Sequence, residues 1–306
     1  MQWILKKSSI WGVFLGVTLL VGIMPMMCRR GGLFGHRGRR AGPARPVDRA
    51  TAERLYRTYC ADCHGVNGDG QGRFADRFRT RPTDFRAGVY KFKRTPTGQP
   101  PADADIFRTL TIGVRGTGMV PQLHLSEAER WGLVRYLKRL SPVFAETQQP
   151  VQPLSLPPRP NLSTRELLRI GREWYTKAGC VQCHGPEGRG DGPAVPNLKD
   201  RRGFPVVMPD LTLVPYKQGE NVEAIAWTIL TGRDGTPMPS YANALTPEQL
   251  WGIATYVRSL QRGRKPAGMM GLIGEEILAM RIDMEAVHAW RMGGMPMMRM
   301  RRSPRE

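Results

Sequence analysis

A five-residue pattern occurs twice in this chain and restricts its chemistry more than any other feature: Cys60-Ala61-Asp62-Cys63-His64 and Cys180-Val181-Gln182-Cys183-His184. Each copy reads C-x-x-C-H, and together they use four of the five cysteines and two of the five histidines. Two thiols at this spacing can each form a thioether to one porphyrin, and the adjoining histidine then lies under the iron as its proximal ligand. A bare C-x-x-C also serves thioredoxin-like redox pairs and half-sites for zinc. A redox pair has no need of the histidine, and a tetrahedral zinc site would have to draw on two motifs 120 residues apart. The pattern therefore predicts two haem c groups, attached through Cys60, Cys63, Cys180 and Cys183, with His64 and His184 on the irons.

The duplication extends well beyond the motifs, and a repeat of domain length marks where domains lie. Gly65-Val66-Asn67-Gly68-Asp69-Gly70 follows the first histidine, and Gly185-Pro186-Glu187-Gly188-Arg189-Gly190-Asp191-Gly192 follows the second. Further on, the stretch from Thr109 to Met119 matches the stretch from Thr228 to Met238. Leu125-Ser126-Glu127 through Leu140 matches Leu245-Thr246-Pro247 through Leu260, pairing Trp131 with Trp251 and Tyr136 with Tyr256.

These residues resemble the class I cytochrome c family in its tandem di-haem form. The resemblance covers roughly residues 50–142 and 160–262 and has three ordered parts per domain: C-x-x-C-H, a G-T-x-M loop and a closing helix with an aromatic residue. It implies a mainly α fold, with two cytochrome c-like helical domains in tandem. It also implies an axial methionine on each iron. Met238 lies 54 residues after His184 in Gly235-Thr236-Pro237-Met238-Pro239, and Met119 lies 55 after His64 in Gly116-Thr117-Gly118-Met119. Met208 and His124 compete for these positions, but neither has a counterpart at the matched place in the other domain. Arg115 and Arg233, just before the methionines, are candidates for pairing with haem propionates.

In chain order, residues 1–49 comprise an apolar run and a basic tether. Ser8 to Cys28 is a run of 21 uncharged residues, long enough to cross a bilayer as one helix. With no convincing cleavage site near its end, it reads as a retained anchor rather than a signal peptide. Seven arginines follow the run and two lysines precede it, which by the positive-inside tendency places the following domains in the cytoplasm. The resemblance implies the opposite, because c-type haem is normally attached outside the cytoplasmic membrane, and the expectation follows the haem. Residues 50–142 form the first haem domain and 160–262 the second. Ser126 with Glu129, Ser163 with Glu166, and Thr246 with Gln249 have capping-box spacing and should open helices. Residues 143–159 are a proline-rich linker, predicted to be an extended spacer. Residues 263–306 are a methionine-rich tail with nine of the sixteen methionines, and its Leu272–Trp290 stretch has helical apolar spacing.

Charge bears on partners. The net +20 is uneven: residues 1–49 carry +8, 50–145 carry +7 and 160–262 carry +2. The surplus suits an acidic docking surface on a redox protein or membrane respiratory complex, or an anionic membrane surface. An exported haem protein is a poor candidate for nucleic acid. A His/Met iron is six-coordinate and cycles between Fe(III) and Fe(II) without an open position. The expected function is therefore electron transfer, as a membrane-anchored carrier or the cytochrome subunit of a respiratory oxidase or dehydrogenase, on the outer side of the cytoplasmic membrane. The alternative is a di-haem enzyme of peroxidase or thiosulfate-oxidising type with one labile axial ligand, most readily at the Gly118-Met119-Val120 loop.

Overall fold

A computed structural model describes residues 46–146 and 151–264. The apolar run Ser8–Cys28 and the tail helix expected over Leu272–Trp290 lie outside the described residues. Among the described residues no helix is long and apolar enough to cross a membrane.

Helix α1 (Arg49–Tyr59) begins where the Asp48 carboxylate accepts from the Thr51 backbone N–H at 2.7 Å. It runs directly into α2 (Ala61–His64), which carries the first C-x-x-C-H. After a long loop come α3 (Asp103–Ile112) and α4 (Glu127–Arg139). The capping box at α4 is formed, with Ser126 Oγ accepting from Glu129 N and the Glu129 carboxylate accepting from Ser126 N. Val143–Glu146 closes a short helical turn, α5, at the start of the proline-rich segment. The second copy repeats the order: α6 (Thr164–Lys177), α7 (Cys180–His184), α8 (Val222–Thr231) and α9 (Pro247–Ser259). Both remaining capping boxes, at Ser163 and Thr246, are also formed. Two two-residue strands, β1 (Leu213–Val214) and β2 (Gly263–Arg264), pair in parallel and tie the end of the second copy to its loop.

Each copy has its own apolar core. Tyr56, Ile106, Leu110, Leu133, Val134 and Leu137 fill the first. Leu167, Tyr175, Ile225, Ile229, Leu250 and Ile253 fill the second. In both, the helix leading to the haem motif crosses the closing helix at small residues. A methyl group on Gly171 of α6 would lie 2.0 Å from the Gly252 carbonyl oxygen of α9, so the backbones themselves touch. The matching pair in the first copy is Ala52 and Gly132, where Val47 also presses on Gly132.

The linker does more than space the domains. Residues 151–160 form no helix or strand, in keeping with their prolines. Yet Leu154, Leu156 and Leu162 pack on the second core, Leu154 N donates to Arg94 O at 2.7 Å, and Trp251 Nε1 donates to Pro157 O at 3.0 Å. The segment is therefore bonded to both domains. The signal in the sequence is the leucines set between the prolines.

The crossing of α6 and α9 leads to a prediction. Alanine at position 171 gains about 1 kcal/mol of helix propensity. The methyl would have to displace a backbone carbonyl, and overpacking of this kind costs typically 1–3 kcal/mol or more. Gly171→Ala should therefore destabilise the second domain by about 1–2 kcal/mol net. Denaturant unfolding followed by far-ultraviolet circular dichroism measures this, and a stabilised variant would refute the reading of the crossing.

Candidate functional site

Each histidine sits at the end of a short helix whose first residue is the first cysteine or its neighbour. A buried tyrosine fixes that end: Tyr56 Oη donates to Gly65 O at 2.6 Å, and Tyr175 Oη donates to Gly185 O at 2.9 Å. Sequence reading missed this pair. The offset to the first cysteine differs, four residues against five, because Gly179 in the left-handed region adds a residue ahead of Cys180. At two of the glycines after the histidines, Gly68 and Gly188, the closing helix packs directly against the backbone. A methyl there would lie 2.7 Å from a Leu140 Cδ1 and 2.8 Å from a Leu260 Cδ1, the residues that cap the closing helices.

The four thiols are free, half-buried and not joined as disulfides. Burial pushes Cys60 up to about 12 and Cys180 up to about 11, so these two thiols are protonated at neutral pH when free. Burial also holds both histidines below the usual imidazole range, His184 at about 4, so each ring is neutral. His64 Nδ1 lies 3.1 Å from Thr83 O. A carbonyl only accepts, so Nδ1 carries the hydrogen and Nε2 keeps its lone pair for a metal. The His64 ring also stacks on Phe85 at 4.5 Å. His184 Nδ1 is buried with no hydrogen-bond partner, and Leu211 stands where the first domain has Phe85. A pair of thiols one turn from a neutral, oriented or unsatisfied imidazole is the donor set a c-type haem needs. Among the described residues no three His, Cys, Asp or Glu side chains cluster as a metal site.

The two methionine loops are the same hairpin built twice. Val114 N donates to Met119 O at 2.7 Å, and Arg233 N donates to Met238 O at 3.0 Å. Thr117 Oγ1 donates to Val114 O and accepts from Met119 N; Thr236 Oγ1 donates to Arg233 O and accepts from Met238 N. A methyl on Gly113 would meet Met119 O at 2.5 Å, and one on Gly232 would meet the Pro239 backbone at 2.5 Å, so glycine opens each hairpin. The Met119 loop, which looked the weaker in sequence, is as fully bonded as its partner. The two competing candidates have different surroundings. His124 is exposed and packs edge-on against Tyr59, and Met208 belongs to the segment lying over Gly190, where the first domain has Pro82.

The domains meet through charged side chains, most of which sequence reading did not single out. Lys93 Nζ lies 2.9 Å from Asp234 Oδ2, with the side chains only 3% and 6% exposed. The Asp234 carboxylate also accepts from Gly98 N at 3.0 Å. Arg108 donates to Gln218 Oε1 at 2.7 Å, Arg94 lies 4.5 Å over the Trp227 ring, and Arg202 Nη1 donates to Pro82 O at 2.7 Å. Arg115 and Arg233 line one inter-domain cavity of about 370 Å³ with Arg94 and Arg108. They are not equivalent. Arg115 forms an ion pair with Glu220 at 2.7 Å, across the interface. Arg233 packs on Phe92, donates to Gly232 O and Thr228 Oγ1, and is held down to about 10 by burial and by the neighbouring Arg108.

Comparison with known proteins divides the chain in the same way. The family described as cytochrome c matches residues 168–261, and the family described as cytochrome c oxidase, cbb3-type, subunit III matches residues 47–137. A cbb3-type cytochrome c oxidase subunit CcoP from Rubrivivax gelatinosus is 30% identical over 123 residues, which is 40% of this chain and 33% of that protein. The chain thus matches about a third of the length of that relative. A chain of the reducing HAO-like protein complex of Kuenenia stuttgartiensis is 36% identical, with a TM-score of 0.66 over 72% of this chain and 99% of that one.

The attachment motifs make a stoichiometric prediction. Replacing Cys180 and Cys183 together by alanine should halve the iron content of the purified protein, leaving one covalent haem per chain. Elemental analysis with haem staining of the denatured protein reads this directly. Unchanged iron would place the second haem elsewhere.

Proposed function

We propose, from the premise that the chain belongs to the cytochrome c family as a tandem of two haem c domains, that it relays electrons between its two haems at a fixed separation on behalf of a respiratory complex. The chain carries two covalently bound haem c groups and serves electron transfer. Each bound haem supplies a one-electron Fe(III)/Fe(II) couple. The protein's part is to hold each iron closed and to keep the two domains in one arrangement.

His64 and Met119 are assigned to the first iron, and His184 and Met238 to the second. The observation that carries the carrier reading is the identity of the two methionine hairpins, bonded by the same three hydrogen bonds in each copy. A hairpin so constrained offers its thioether without the slack a labile ligand would use. Arg233, with no carboxylate paired to it among the described residues, is the better propionate partner, while Arg115 is shared with Glu220. The domain limits proposed are 50–142 and 160–262, with residues 143–159 as the strap between them. The relatives' printed names, an oxidase subunit and a HAO-like complex, support a redox partner. The surplus of basic side chains in residues 50–145 favours an acidic docking surface on it. The apolar run Ser8–Cys28 supports membrane attachment, with the haem domains on the outer side where c-type haem is attached.

The reduced protein should show no optical change under carbon monoxide, and Met238→Ala should give a carbon monoxide shift in one haem of the two. A shift in the unaltered protein would favour the enzyme reading.

A further inference from the structure

Two cations cross the interface in opposite senses, and each reaches the ligand loop of the other domain. In the second domain, residues 199–205 form a turn closed by Asp200, whose carboxylate accepts from Arg202 N and Phe204 N. The turn carries Arg202 into the first domain, where its guanidinium donates to Pro82 O at 2.7 Å. The next residue, Thr83, supplies the carbonyl that orients His64. Arg81 of the first domain lies over the Phe204 ring at 5.0 Å, and Arg202 lies over it at 5.1 Å, so the turn is gripped at its tip. In the first domain, Lys93 reaches the other way to Asp234, which lies between Arg233 and Gly235 inside the Met238 hairpin. The same turn also bonds that hairpin, since Arg201 N donates to Gly235 O at 2.9 Å.

We propose that each domain sets the reduction potential of the other's haem: Arg202 through the proximal segment Pro82–Thr83 of the first, and Lys93 through the distal hairpin of Met238 in the second. The inference rests on the ligand assignment above. Its physical basis is twofold. A fixed cation near an iron favours the reduced state, which carries one positive charge fewer. A clamp on the loop that bears or orients a ligand also fixes the metal–ligand geometry. By linkage, two sites coupled through shared contacts are coupled reciprocally.

The test is a spectroelectrochemical titration of the full-length holoprotein. Met238→His assigns the potentials, because exchanging an axial methionine for histidine lowers the potential of that iron. Arg202→Gln should then shift the first haem and leave the second in place. Lys93→Met should shift the second and leave the first. Asp234→Asn should move the second haem oppositely to Lys93→Met, since the two variants leave opposite charges behind. Each shift should change the reduced-to-oxidised ratio at a fixed ambient potential by about fivefold or more, the lower end of ordinary coupling between sites. Arg202→Lys, which keeps the charge, should recover most of the first shift. Should Lys93→Met fail to fold, Asp234→Asn alone carries this arm: it leaves the Lys93 cation uncompensated and should raise the potential of the second haem while leaving the first in place. If Met238→His moves neither potential, the ligand assignment falls and this inference falls with it. If Met238→His moves one potential while Arg202→Gln and Lys93→Met shift both haems alike, or neither, the crossed coupling alone is overturned.

Discussion

In each domain the helix that delivers the haem motif crosses the closing helix at small residues, in the second domain at backbone distance. The side chains that make this feasible are Gly171 with Gly252 in the second domain and Ala52 with Gly132 in the first. Four residues past each crossing, a tyrosine has its ring in the core and its hydroxyl on the carbonyl after the haem histidine. That bond joins the delivering helix to the end of the C-x-x-C-H helix, and the ring that carries it is buried in the core. At the far end of the same closing helices, Leu140 and Leu260 lie against Gly68 and Gly188 of the loop that follows the histidine. The motif end is thus held at two points by one helix pair, by the tyrosine of the delivering helix and by the leucine that caps the closing one.

The contact between domains rests on a different balance. Lys93 and Asp234 are almost wholly shielded, and desolvating two ions costs several kcal/mol each. Hydrogen bonds offset part of the cost. Lys93 Nζ donates to the Thr95 and Pro96 carbonyls as well as to Asp234, and Asp234 Oδ2 accepts from Lys93 and from the Gly98 amide, while Asp234 Oδ1 is buried without a partner among the described residues. A buried pair of this kind adds little net stability compared with an apolar substitute, yet removing one partner costs about 3–5 kcal/mol. Its effect is to admit one arrangement of the domains and penalise the others. The exposed pairs, such as Arg57 with Glu53 or Arg189 with Glu187, contribute little by comparison.

Much of the fold was legible because it is written in local chemistry. The three capping boxes announce their helices through reciprocal hydrogen bonds between residues three apart, and all three form. The motif cysteines and histidines lie within one short helix, so their proximity needs no tertiary information. What stayed hidden depends on contacts between residues far apart in the chain. Lys93 and Asp234 are separated by 141 positions, and Arg202 and Pro82 by 120. Nothing in either neighbourhood marks a lysine as buried or an arginine as a bridge. Arg115 and Arg233 illustrate the same limit. Both precede a methionine, but the hairpin bonds align Arg233 with Val114 and place Asp234 where Arg115 stands, so the repeat conceals an exchange of charge. Read as linear text, the linker was a spacer. Its leucines become informative only once the second core is there to receive them.

That exchange of charge bears on how the two irons differ. On the proposed ligand assignment, His64 gives its Nδ1 hydrogen to Thr83 O, which strengthens the ring as a donor and favours the oxidised iron. The guanidinium of Arg202, held on the adjoining residue, acts in the opposite direction. The first haem is therefore set by a compromise, one half of which belongs to the other domain. The second histidine has no such bond among the described residues, and its distal hairpin holds a carboxylate neutralised by a lysine from the first domain. Separated from its partner, the first domain would lose a cation and the second would keep an unpaired anion. On the proposed coupling both changes favour the oxidised state, so joining the domains would raise both haems together, and it is the assembled pair whose potentials a redox partner would meet.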